Sequence, residues 1–71
     1  MARSIYYVAP FRGGWGIRHN RKQEGPYRNQ KTAINAAVES AKEAYGQGYD
    51  ARVLVQGADR DFRTEWTPHH H

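Results

Sequence analysis

Seven arginines and lysines interleaved with five aromatic side chains give the first part of this chain its most pronounced chemical character. Residues 1–31 carry Arg3, Arg12, Arg18, Arg21, Lys22, Arg28 and Lys31 against the single acid Glu24, a local balance of +6. Tyr6, Tyr7, Phe11, Trp15 and Tyr27 lie among them. Residues 32–71 reverse the sign, with Lys42, Arg52, Arg60 and Arg63 against six acids, a balance of −2. Guanidinium groups pair bidentately with phosphates, and aromatic rings stack on bases. A basic region of this composition points to a polyanion, with DNA or RNA as the expected ligand.

The inventory for catalysis is poor. There is no cysteine, and His19 is the one histidine before the terminal tract. Ser4 and Ser40 fall in a strand-like and a helix-like segment, not in a nucleophile elbow. His19 beside Arg18 reads as a surface histidine at a strand end. Asp59 and Asp61 flank Arg60 in a turn, where carboxylates are commonly just solvated, so no metal site is assigned. The expectation is a protein that is not an enzyme and needs no cofactor. Zero cysteines also exclude disulfide staples and thiolate-ligated zinc.

Elements must position these residues, and the patterning supplies them. Ser4-Ile5-Tyr6-Tyr7-Val8-Ala9 is β-branched and aromatic, and ends at Pro10, which lacks a ladder donor. Phe11-Arg12-Gly13-Gly14 permits a reversal into Trp15-Gly16-Ile17-Arg18-His19, whose period of two sends Trp15 and Ile17 inward. Residues 20–28 are polar, with a turn at Gly25-Pro26, and no strand is assigned there. Asn29 is an N-cap, after which Ile34, Ala37, Val38, Ala41 and Tyr45 form the stripe of a helix from about residue 30 to 45. Gly46 and Gly48 end it, and Ala33, Ala37, Ala41 and Ala44 let it lie close on a sheet. Ala51 to Gln56 reads as a strand with Ala51, Val53 and Val55 inward. Asp61 to Trp66 reads as another, with Phe62, Thr64 and Trp66 on the inner side and Arg63 and Glu65 on the outer.

The resulting fold is an α+β, two-layer β-β-α-β-β domain over residues 1–68, one amphipathic helix packed on a small antiparallel sheet. Its expected core is Trp15, Ile17, Ile34, Val38, Val53, Val55 and Phe62. His69-His70-His71 reads as the remnant of a purification tag. No apolar run approaches the roughly 20 residues that span a bilayer, and the first residues lack the apolar core of a signal peptide. A cytoplasmic protein without a membrane partner is expected.

Val8-Ala9-Pro10, Gly14-Trp15-Gly16-Ile17, Asn29 through Ile34 with Ala36-Ala37, and Val53-Leu54-Val55-Gln56-Gly57 resemble successive motifs of the domain of unknown function 2188 family, small uncharacterised bacterial proteins. The resemblance spans nearly the whole chain and implies the β-β-α-β-β domain and a bacterial or phage origin. It implies no activity. Where the family has Asp-Gly this chain has Asp59-Arg60, which puts the tight positive-φ turn there in question, with a longer or bulged loop as the alternative.

With one helix, one sheet face stays uncovered, and the pattern assigns to it Tyr7, Arg18, Arg52, Leu54, Gln56, Arg63 and Glu65. The expected nucleic-acid-binding set is Arg18, Arg52 and Arg63 with Tyr7 on this face, and Arg12, Arg21, Lys22 and Arg28 in loops. Phe11 and Tyr27, the aromatics least readily assigned to the core, join it as stacking candidates. The alternative is a protein-interaction or homo-oligomerisation module, in which a homodimer or protein partner covers the same face around Leu54. An isolated Leu54 among arginines fits either reading, whereas a larger apolar patch favours the interface.

Overall fold

The computed structural model describes residues 3–68, so the expected tag remnant lies outside the described residues. The elements are β1 (Arg3–Phe11), β2 (Gly14–His19), β3 (Lys22–Tyr27), α1 (Gln30–Gly46), β4 (Asp50–Gln56) and β5 (Phe62–Trp66). All five strands form one sheet in the order β3-β2-β1-β4-β5. Its central pair, β1 and β4, is parallel and every other pair is antiparallel. The α+β domain stands, but the sheet is mixed and has one strand more than the pattern reveals. A parallel pair needs a crossover, and α1 supplies it between β3 and β4. β3 escapes pattern reading because it is an edge strand with five of its six residues exposed, so it carries no apolar alternation.

Local chemistry explains most boundaries. Arg12 and Gly13 both adopt positive φ, +49° and +81°, the backbone of a two-residue hairpin turn between β1 and β2. The Asn29 side chain accepts a 2.8 Å hydrogen bond from the Thr32 amide, starting α1 at the expected place. Gly48, at φ +97°, reverses the chain after the helix, and its amide bonds to the Tyr45 carbonyl.

The helix packs through its smallest side chains. Ala33, Ala37 and Ala41, spaced four apart, are completely buried, together with Val8, Ala51 and Val53 from the sheet. Tyr6, Ile17 and Val55 complete the core. Ile34 and Val38 flank this seam half-buried, and Tyr45 at its end is exposed, so the contact line is rotated from the stripe of larger residues. Alanines bring helix and sheet together; a seam of Ile34 and Val38 would hold them apart. Trp15 also packs only half-buried against the core, and Phe62 lies outside it, 44% exposed.

Candidate nucleic-acid interface on the open sheet face

Residues paired directly across strands project to the same side of a sheet, so register assigns the faces. Tyr6, Val8, Ile17, Val53 and Val55 lie under α1. Their neighbours therefore face away from it. One row crosses all five strands on that open side: Gln23, Arg18, Tyr7, Leu54 and Thr64. Beside it Ala9 stands opposite Gly16 and Gln56 opposite Phe62; on the other flank Ile5 stands beside Arg52. Tyr7 and Phe62 meet edge to face, with centroids 5.3 Å apart and planes at 81°. Phe11, opposite Gly14, adds a third ring, and the Arg12 guanidinium lies 5.3 Å from its centroid.

Phe62 is the main functional-site correction. A strict period of two puts Phe62, Thr64 and Trp66 together on the inside, but the pairing of β4 with β5 slips between Val53 and Leu54. Glu65 becomes the extra residue of a bulge, so Trp66 pairs with Val53 and packs on the core while Phe62 and Thr64 face outward. The same slip corrects Arg63 and removes Glu65 from the row. Arg63 pairs with Val55, on the α1 side, and its guanidinium donates to Asp59 Oδ2 at 2.9 Å. It does not join Arg18 and Arg52.

The other expected binding residues divide. Tyr7, Phe11, Arg18 and Arg52 share the open face. Arg12 and Arg28 line a shallow recess with Tyr27 beside the β1–β2 turn. Arg21 and Lys22 lie at the β2–β3 turn, the opposite end of β2, so the loop cations form two separate groups. Tyr27 pairs with Trp15, packs partly against the core, and donates its hydroxyl to Glu24 at 3.4 Å. Burial, and then the charge of Glu24 and that hydrogen bond, raise its pKa.

Charge on the open face is one-sided. Among the described residues the ion pairs are Arg3 with Asp50 and Arg63 with Asp59. Arg18 and Arg52 have no carboxylate partner among them, and the one acid in the open rows, Asp50, is taken by Arg3.

Sequence reasoning also missed a hollow. Ala9 and Gly16, the smallest pair on the face, sit among Tyr7, Phe11, Phe62 and Arg18, leaving a groove of about 440 Å³. Register alone brings those small residues together. Leu54 is likewise not isolated, since Tyr7 and Thr64 flank it in its row and Ile5 and Phe62 stand in the adjoining ones.

On the helix side His19 is not the surface residue expected. Its ring stacks on Tyr6 with centroids 4.0 Å apart, and its Nε2 is buried without a hydrogen-bond partner. Burial, and then the charge of Lys22, hold its pKa below the ordinary value, against a smaller opposing pull from Glu24. At the β4–β5 turn Asp59 is already engaged, its Oδ1 by the Asp61 amide and its Oδ2 by Arg63.

Residues 6–67 match the model of a family described as an uncharacterized protein conserved in bacteria, DUF2188. No curated protein and no solved structure matches the chain.

Proposed function

This chain belongs to the uncharacterised bacterial family DUF2188, and from its geometry we propose a non-enzymatic module that binds nucleic acid on its open sheet face. One observation carries the reading: an exposed pair of aromatic rings, Tyr7 and Phe62, shares the open face with two arginines, Arg18 and Arg52, that have no acidic partner among the described residues. Rings on a sheet surface offer stacking platforms, and unneutralised guanidinium groups beside them offer phosphate contacts. The loop cations Arg12, Arg28, Arg21 and Lys22 extend the positive field at both ends of β2. A cytoplasmic location belongs to the same reading.

The apolar cluster of Ile5, Tyr7, Leu54 and Phe62 favours a second reading, in which another protein or another copy covers the face. Charge argues against the two-fold version. An isologous contact would set Arg18 and Arg52 of both copies against one another without acids to match them.

A salt-titrated binding measurement on single- and double-stranded DNA and RNA tests the proposal. The logarithm of the affinity should fall linearly with the logarithm of salt concentration. Reversal of both Arg18→Glu and Arg52→Glu should lower the slope by about 1–2 and weaken binding while the circular dichroism spectrum is retained. Absence of binding to every nucleic acid at low salt would overturn it. Leu54→Asp distinguishes the second reading, which expects that change to alter sedimentation of the pure protein.

A further inference from the structure

Resting on the nucleic-acid reading, we propose that the partner is a single strand and that the hollow over Ala9 and Gly16 receives one unstacked base. The hollow is a gap in an otherwise bulky row system. Its floor is the Ala9–Gly16 pair, aromatic side chains of Tyr7, Phe11 and Phe62 stand around it, and Arg18 and Gln23 form its polar rim. An ideal Cβ on Gly16 would come within 2.6 Å of the Gln23 amide nitrogen and 2.8 Å of Phe11 Cβ, both hollow-lining residues. Gly16 thus lets the Gln23 amide and the Phe11 side chain close over its backbone, and any side chain there would displace these two lining residues.

The lining matches a flat ring with a polar edge. Aromatic walls suit the faces of a base, which are apolar and stack without regard to sequence. The rim combines both hydrogen-bonding senses. Gln23 donates through Nε2 to the Ile17 carbonyl at 3.3 Å, which leaves its Oε1 as an acceptor, and Arg18, its partner across β2 and β3, is a pure donor. Arg52, across Tyr7 and Leu54 from this rim, is placed for the phosphates of the same strand.

A duplex does not fit this arrangement. The faces of its bases are already stacked, and its major groove admits a helix or a two-stranded ribbon, not the face of a five-stranded sheet. It would meet the protein through phosphates alone. A single strand can turn a base into the hollow and keep its backbone on the arginines.

The test compares four probes: a ten-nucleotide DNA strand, the same strand with all bases removed, the corresponding duplex, and a mononucleotide. The complete strand should bind about tenfold or more tightly than the abasic strand, which carries the same phosphates. It should also exceed the duplex and the mononucleotide. Ala9→Ile, a strand-compatible substitution that fills the floor, should reduce the complete strand to the abasic level. Gln23→Ala, on the exposed edge strand, provides a second variant and should weaken the complete strand while leaving the abasic one unchanged. Equal affinity for complete and abasic strands, or a duplex bound as well as a strand, would overturn the base pocket and leave the phosphate-binding reading intact. A mononucleotide bound as tightly as the strand would overturn the assignment to a strand. Absence of binding to all four would remove the underlying reading as well.

Discussion

The two faces of the sheet are built on opposite principles. Toward α1 the contacts are made by Ala33, Ala37, Ala41, Ala51, Val8 and Val53, small side chains with no remaining exposure. Away from α1 stand Tyr7 and Phe62, 36% and 44% exposed, around a hollow floored by alanine and glycine. Stability explains the first arrangement, because close approach of helix and sheet needs small residues and leaves few voids. It does not explain the second. Large rings in water beside unpaired arginines contribute little to a core, so their placement points to contact with something outside the molecule.

Substitutions of opposite kind on the two faces would break this comparison most directly. Ala37→Leu should cost about 1–3 kcal/mol through overpacking, a large share of the roughly 3–5 kcal/mol a domain of this size holds. A loss of about 4–8 °C in melting temperature per kcal/mol makes the effect plain by calorimetry. Phe62→Ser should cost about 1 kcal/mol or less, chiefly its edge-to-face contact with Tyr7, and should weaken nucleic-acid binding. A melting temperature lowered more by Phe62→Ser than by Ala37→Leu would mean that the open face is structural.

The hairpin that carries Phe62 to the open face offers a smaller and sharper test. Arg60 takes φ +69°, the left-handed backbone that glycine adopts without steric cost, and the Arg60 amide closes the turn on the Gly57 carbonyl at 2.9 Å. The longer loop of residues 57–61 therefore stands where the tight Asp-Gly turn is in question, with an arginine in the strained position. Arg60→Gly should relieve about 1 kcal/mol, the lower end of the left-handed penalty, and raise the melting temperature. A lowered melting temperature would show that the side chain of Arg60 outweighs its backbone strain.

The smallest effect is expected at the margin of the covered face. His19 stacks on Tyr6 with its pKa held below the ordinary 6.5 by burial first and Lys22 second. As pH falls the unfolded chain takes up this proton before the folded one does. The contribution is complete above the ordinary value and is lost as pH falls toward and through the folded value. Thermal melts between about pH 7.5 and about pH 5.5 should show falling stability, and His19→Phe, which retains a ring against Tyr6, should flatten the trend. Identical trends in both proteins would exclude His19 as its source.

Much of the architecture was legible in the chain because it depends on neighbours in sequence. The Asn29 cap, the alanine-rich helix, the Arg12-Gly13 reversal and the alternation of Ala51, Val53 and Val55 are local patterns, and the structure places each element where those patterns put it. Tyr7, Arg18 and Arg52 were likewise readable as a common face, since the period of two assigns sides within each strand, whereas Phe11, read as part of the reversal, joins them only through its pairing with Gly14. Tertiary structure decided the rest. The polar β3 gains its strand form from β2, the parallel pairing of β1 with β4 joins segments more than forty residues apart, and the bulge at Glu65 moves Phe62 outward and Trp66 inward. Alternation states which residues share a side of one strand. Hydrogen bonds between strands determine which side that is and which residue stands opposite, so the meeting of Ala9 with Gly16 and of Tyr7 with Phe62 exists only once the sheet is assembled.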